Sequence, residues 1–235
     1  MLHAITQKKT NIHLRYLGNR EEGERRVTAE DEITALLLGP LAFMPYADVA
    51  TFWQAIVDRP ESWPPGEVET ARMSFWEPRK VAAGKRKIEP DLLVDLQWTD
   101  GARLILLVEL KWRSGLSGDN QLHDQWELYR SNDEHRALHL FIAPQIGEAL
   151  QAKARKDVWG DCLLPISWQQ VLSRLPKQND VSPGLGRLLM QMEDTLKMLQ
   201  IKPFKGFSKL APPSPILTTS PIFWCESSSS KEQWQ

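Results

Sequence analysis

The chain has 235 residues, 42% of them hydrophobic and 25% charged, and a net charge of −1. These values fit one globular domain with an appendage, and they exclude the global positive field of a non-specific nucleic-acid coat protein. The opening MLHAITQKKT lacks the apolar core of a signal peptide, the best apolar run (35–45) is cut by Gly39-Pro40, and Cys162 and Cys225 read as reduced thiols, so a soluble, cytoplasmic protein with no membrane partner is expected.

Residues 1–27 read as a polar N-terminal extension, with 12–17 (IHLRYL) as a short strand and the mixed charges of 20–26 as a solvated loop. Thr28 is placed to cap a helix whose first turn holds Glu30, Asp31 and Glu32, with Ile33, Leu36 and Leu37 at helical spacing. A second helix is expected over 48–58, burying Phe52, Trp53, Ile56 and Val57. Prolines 60, 64, 65 and 78 break up the next stretch, within which 73–76 reads as a strand at a sheet edge. Arg79, Lys80, Lys85, Arg86 and Lys87 are the densest basic cluster, read either as a solvated loop or as a phosphate track.

Residues 88–112 read as two apolar strands joined by Thr99-Asp100-Gly101. Side chains alternate faces along a strand, so Glu109 and Lys111 point the same way. A three-residue loop closed by Gly101 pairs Trp98 with Ala102 and sets Asp91 opposite Glu109, on one face. A two-residue loop would send the two carboxylates to opposite faces. Two carboxylates with a lysine one step beyond suit a hard divalent cation, Mg²⁺ with Mn²⁺ as substitute, that engages phosphate oxygens. Lys111 would orient or deprotonate a water, or neutralise charge on phosphorus. A surface ion pair at a strand end is the bland alternative.

Beyond a loop at 113–118 comes a helix over 119–130, capped by Ser117 or Asp119, with Gln121, Leu122, Gln125, Trp126 and Tyr129 on its inner side. A buried strand (137–143), an amphipathic helix (147–159), a short strand (162–166) and a helix capped by Ser167 and running to Leu175 follow. A further amphipathic helix spans 185–200. Residues 201–235 turn Pro- and Ser-rich, with 227–230 and the end expected to be disordered and Phe204, Phe207, Phe223 and Trp224 expected to pack. His135 and His139 stand four apart, but His139 lies in strand-like sequence, which breaks a zinc geometry. Ten tryptophans, spread through the chain, are mostly core.

Pro90-Asp91, then seventeen residues, then Glu109-Leu110-Lys111 resembles the PD-(D/E)xK nuclease superfamily, over about residues 28–175. The resemblance implies an α/β fold with a restriction-endonuclease-like αβββαβ core, a mixed central sheet flanked by helices, here with an extra C-terminal helix, in a domain spanning 28–200. It implies a metal-dependent nuclease cutting phosphodiester bonds, DNA before RNA, in defence against foreign DNA or in repair, as a homodimer or part of a larger complex where both strands are cut. The Glu30-Asp31-Glu32-Ile33-Thr34 segment resembles a pattern that brings a helix glutamate, Glu30 here, to the metal site. The resemblance also points to Gln121, with Gln125 competing, and to the Leu110 carbonyl as a further metal ligand beside Asp91 and Glu109. A non-catalytic nucleic-acid-binding or assembly subunit with the same fold is the alternative.

Overall fold

A computed structural model describes residues 2–7, 9, 13–16, 29–80, 87–130 and 136–202. Among the described residues there are seven strands: β1 (Val68–Phe75), β2 (Arg79–Lys80), β3 (Lys87–Ile88), β4 (Leu92–Trp98), β5 (Arg103–Leu110), β6 (Arg136–Ala143) and β7 (Leu163–Ser167). The helices are α1 (Leu2–Thr6), α2 (His13–Tyr16), α3 (Ala29–Leu38), α4 (Tyr46–Val57), α5 (Gln121–Tyr129), α6 (Gly147–Arg155), α7 (Trp168–Arg174) and α8 (Pro183–Met198). Five strands form one mixed sheet in the order β1-β4-β5-β6-β7. The β1, β4 and β5 strands run antiparallel to one another, whereas β5, β6 and β7 are parallel. The pair β2–β3 stands apart as a small antiparallel ribbon.

The central strands β4, β5 and β6 are buried on both faces, as near-continuous Leu, Ile and Val runs require. Their alternate side chains feed two cores. One face presents Leu92, Val94, Leu96, Leu104, Leu106 and Val108 to α3, α4, α7 and α8. The other presents Leu93, Ile105, Leu107 and Phe141 to Leu122, Trp126 and Tyr129 of α5 and Ala149 and Ala152 of α6. Leu2 and Ile5 of α1 join the first core, so the start of the N-terminal stretch packs on the body. At one edge, β7 carries Pro165, whose missing N–H an edge strand tolerates. Among the described residues no helix is long and apolar enough to cross a membrane.

The hairpin has the register expected for the three-residue loop. Leu92 pairs with Val108 and Gln97 with Arg103, the Trp98 amide donates to the Ala102 carbonyl at 2.9 Å, and Gly101 adopts φ +86°. Asp100 stiffens the turn by accepting the Ala102 amide at 2.9 Å.

Several elements depart from the sequence reading. The expected strand at 12–17 is a short helix where it is described, at His13–Tyr16. The edge strand is β1, five residues longer at its start than expected, because pairing with β4 runs back to Val68. The expected helix at 147–159 stops at Arg155: the Asp157 carboxylate accepts the Trp159 and Gly160 amides, a turn that competes with the helix ladder. Trp159 nevertheless stays buried, and its indole N–H donates to His139 Nδ1 at 3.1 Å. His139 itself is enclosed in β6, where burial pushes its pKa down to about 3, so it stays neutral. The α5 helix starts after Asn120 with no side-chain cap, so neither Ser117 nor Asp119 caps it. Ser167 does cap α7, in a reciprocal capping box with Gln170, and Ser182 accepts the Leu185 amide at the start of α8, two residues ahead of the expected start. Cys162 is a free, half-buried thiol. Thr28, residues 20–26, Lys85, Arg86, His135, Cys225 and the tail beyond 202 lie outside the described residues.

The positive φ at Gly101 yields a stability prediction. Gly101→Ala meets no neighbouring atoms, so its cost is confined to backbone strain, about 1 kcal/mol. Urea unfolding should show a loss of that size for alanine and a smaller one for Gly101→Asn. An unchanged midpoint for alanine would contradict the turn geometry.

Candidate active site

Antiparallel register carries Asp91, at the lead-in to β4, to the end of β5 where Glu109 and Lys111 project. The Asp91 carboxylate accepts the Leu110 amide at 2.7 Å, and the Asp91 carbonyl accepts the Trp76 amide at 3.2 Å. Trp76 makes that contact from a left-handed backbone at φ +49°, uncommon for a large side chain. Leu110 therefore enters the site through its N–H.

Three charged side chains that a strand end would normally leave in water are buried here. Glu109 is 1% exposed, Lys111 6% and Asp91 8%. The N-terminal turn of α3 brings Glu30 over the end of β5. Lys111 Nζ lies 2.7 Å from Glu30 Oε1 and 2.6 Å from Glu109 Oε1, bridging carboxylates from two elements. Glu30, Asp91 and Glu109 each offer an oxygen within 4.8 Å of the others. Of the three acids at the start of α3, it is Glu30 that reaches the site.

Both glutamines of α5 also reach it. Gln121 donates to Glu109 Oε1 at 2.5 Å and Gln125 to Glu109 Oε2 at 2.6 Å, so the two candidates act together on one carboxylate. Ser117 in turn orients Gln121, donating its amide (2.8 Å) and hydroxyl (3.0 Å) to Gln121 Oε1. Two further participants carry no periodic signal in the sequence. Ser114, in the loop after β5, donates its hydroxyl to Glu30, and Trp168 of α7 donates its indole N–H to the Lys111 carbonyl at 2.9 Å. A serine in a loop and an aromatic at a helix start look like a spacer and a core residue until the fold places them.

Beside the acids, a cavity of about 500 Å³ opens at the carboxyl ends of β5 and β6, lined by Lys111, Arg113, Ser114, Pro144, Gln145 and Gln151 among others. Carboxyl ends of parallel strands are where ligands of open α/β sheets bind.

Burial disfavours the ionised form of a carboxylate and so raises its pKa. Burial pushes Asp91 up to about 8, and the Glu109 charge adds to the rise against the Leu110 amide and Lys111. Glu109 is likewise raised by burial, opposed by Lys111 and Gln125. For Lys111, burial acts to lower the pKa, but Glu109 and Glu30 outweigh it and hold the group as an ammonium. The arrangement thus crowds three carboxylates around one ammonium. Hard oxygen donors at this spacing fit a divalent cation, which would supply the charge that Lys111 alone does not.

No family model, no curated protein and no solved structure matches the chain.

The raised Asp91 pKa fixes the sign of a pH effect. The folded state holds this proton more tightly than the unfolded chain, so its stabilising contribution is full below about pH 4 and is lost as pH rises toward 8. Asp91→Asn removes that loss while keeping an acceptor for the Leu110 amide. Without divalent cations, thermal unfolding at pH 8 should show the variant more stable than wild type by roughly 1–2 kcal/mol, with the gap closing near pH 4. A variant less stable at pH 8 would contradict the electrostatic account.

Proposed function

We propose that the chain is a divalent-cation-dependent nuclease, hydrolysing phosphodiester bonds of nucleic acid with Mg²⁺ or Mn²⁺. The observation that carries the reading is the convergence of Glu30, Asp91 and Glu109 within 4.8 Å beside the buried ammonium of Lys111. The resemblance of Pro90-Asp91…Glu109-Leu110-Lys111 to PD-(D/E)xK nucleases supports it, as does the α4-β1-β4-β5-α5-β6 order, which parallels an αβββαβ core of the restriction-endonuclease-like kind. DNA is preferred to RNA as substrate, with defence or repair as the setting, on that resemblance alone.

In this reading Glu30, Asp91 and Glu109 would hold the cation, which would supply Lewis acidity toward a phosphate oxygen and toward a water. Lys111 enters as a donor. Its raised pKa makes it a poor base, so it binds the attacking water or the phosphate through N–H groups and offsets charge developing on phosphorus. Gln121 and Gln125 fix both oxygens of Glu109, which keeps the carboxylate oriented as charges move around it. Asp91 would have to give up its proton to serve as a ligand, so cation affinity should strengthen with pH up to about 8.

One observation favours a second reading. Lys111 already bridges Glu30 and Glu109, and a non-catalytic nucleic-acid-binding or assembly subunit would keep that ion cluster as a permanent structural element.

Cleavage of supercoiled plasmid and of a labelled single strand with Mg²⁺ or Mn²⁺ separates the two. The expected result is cutting abolished by EDTA, reduced at least about a hundredfold by Asp91→Ala and Lys111→Ala, and reduced about 10- to 100-fold by Gln125→Ala. Equal cutting by wild type and both site variants would reject this site. No cutting by any of them, with cation-insensitive DNA binding, would favour the non-catalytic subunit.

A further inference from the structure

Four residues along β4 from Asp91, on the same face of the sheet, a second polar cluster surrounds a cavity of about 150 Å³. Arg72 of β1, Arg79 of β2 and Arg103 of β5 line it, with Ser74, Glu77, Asp95 and Tyr129. The register explains the shared face. Arg72 pairs with Asp95 and Ser74 with Leu93, and Leu93 in turn pairs with Leu107, two residues from Glu109. Side chains two apart point the same way, so Arg72, Asp95 and Arg103 stand in line with Asp91 and Glu109.

The cluster is held in place. Arg103 forks onto Asp95 through two nitrogens, with Nε 2.7 Å from Oδ1, so the carboxylate is engaged by Arg103. The Arg79 guanidinium sits 4.3 Å above the Tyr129 ring, and the Tyr129 hydroxyl donates to the Glu77 carbonyl and also, at 3.1 Å, to the Ile88 carbonyl. Stacking of this kind fixes a planar cation while leaving N–H groups at its rim for an anion. Arg72 is exposed on the edge strand, and Thr70, Arg72 and Ser74 form a polar lane along β1 toward Asp91, where helices cover the equivalent face of β5 and β6.

We infer that Arg72, Arg79 and Arg103 form a phosphate subsite for the nucleic-acid substrate, remote from the scissile bond and reached along β1. The inference rests on the nuclease reading of the acidic site. Four strand residues span about 13 Å, and a nucleic-acid strand advances about 3.4 Å per duplex step. The subsite therefore holds a phosphate about four duplex steps from the one being cut. With a net charge of −1, the chain has no general attraction for polyanions, and a local arginine cluster supplies it where the substrate lies. The role is positioning: these residues touch substrate away from the reacting atoms.

Steady-state cleavage of a labelled 30-base-pair duplex, with the salt dependence of KM, tests this on the full chain. Arg72→Ala is the primary variant, because the side chain is exposed at the sheet edge. Arg79→Ala and Arg72→Lys accompany it, and Lys197→Ala on α8, against the opposite face, is the control. The expected result is a KM raised about five- to tenfold by each alanine with kcat within about twofold. The slope of log KM against log salt should fall by about one per arginine removed. Lysine should restore most of the effect at position 72, and the control should match wild type. Wild-type KM and salt slope in both alanine variants, or a loss confined to kcat, would overturn the subsite and leave the nuclease reading standing. A wild type that neither cuts the duplex with Mg²⁺ nor retains it with Ca²⁺ would overturn both together.

Discussion

The structure turns on an imbalance of buried charge. Glu30, Asp91 and Glu109 converge at the end of β5, and Lys111 is the ammonium that bridges two of them. Burying a carboxylate without full compensation costs several kcal/mol, and the group responds by taking a proton or a cation. The raised pKa of Asp91 is the first response. Stability would favour apolar residues at these places, as at their neighbours Leu92, Leu107 and Val108. A cluster that depresses stability in the absence of a counter-charge is the kind of local cost that functional sites carry.

The rest of the fold makes that crowding geometrically possible. A three-residue turn with Gly101 sets the register that places Asp91 beside Glu109. A different loop length would put the two on opposite faces without altering the composition of either strand. The crossover between parallel strands β5 and β6 then lays α5 across this face, so Gln121 and Gln125, one turn apart, meet both oxygens of Glu109. Glu30 comes from α3, which packs on the other face and extends past the end of the sheet. Three elements with separate packing duties thus deliver one site. The same sheet face continues to Arg72 and Arg103, which gives acids and arginines a common surface along β4.

Much of this arrangement could be read from residue order, and the reasons are local. Period-two alternation and a glycine-closed turn suffice to place Asp91, Glu109 and Lys111 together, because register in a short hairpin is set by its loop. The apolar spacing of 33–37, 52–57 and 188–199 likewise identifies three helices by the faces they bury. Where long-range geometry decides, order alone falls short. Nothing near Ser114 or Trp168 marks them as partners of Glu30 and Lys111, since those contacts form only when α3 and α7 dock. Gln121 and Gln125 both meet Glu109 because both lie on the same inner face of α5, which residue order leaves as a choice between them. The early end of α6 was decided by the side chain of Asp157, a local competitor that amphipathic periodicity does not register. Arg72 and Arg103, thirty-one positions apart, become neighbours of one cavity only through the pairing of both strands with β4.

The most direct test is calorimetric titration of the cation-free protein with Mn²⁺ at pH 7, in two buffers of different ionisation enthalpy. The predicted result is one ion bound per chain with net release of a proton, the proton coming from Asp91. Glu109→Gln should weaken binding severely, and Asp91→Asn should abolish the proton release. Absence of binding, or binding untouched by both substitutions, would contradict the claim that these carboxylates are gathered to hold a cation.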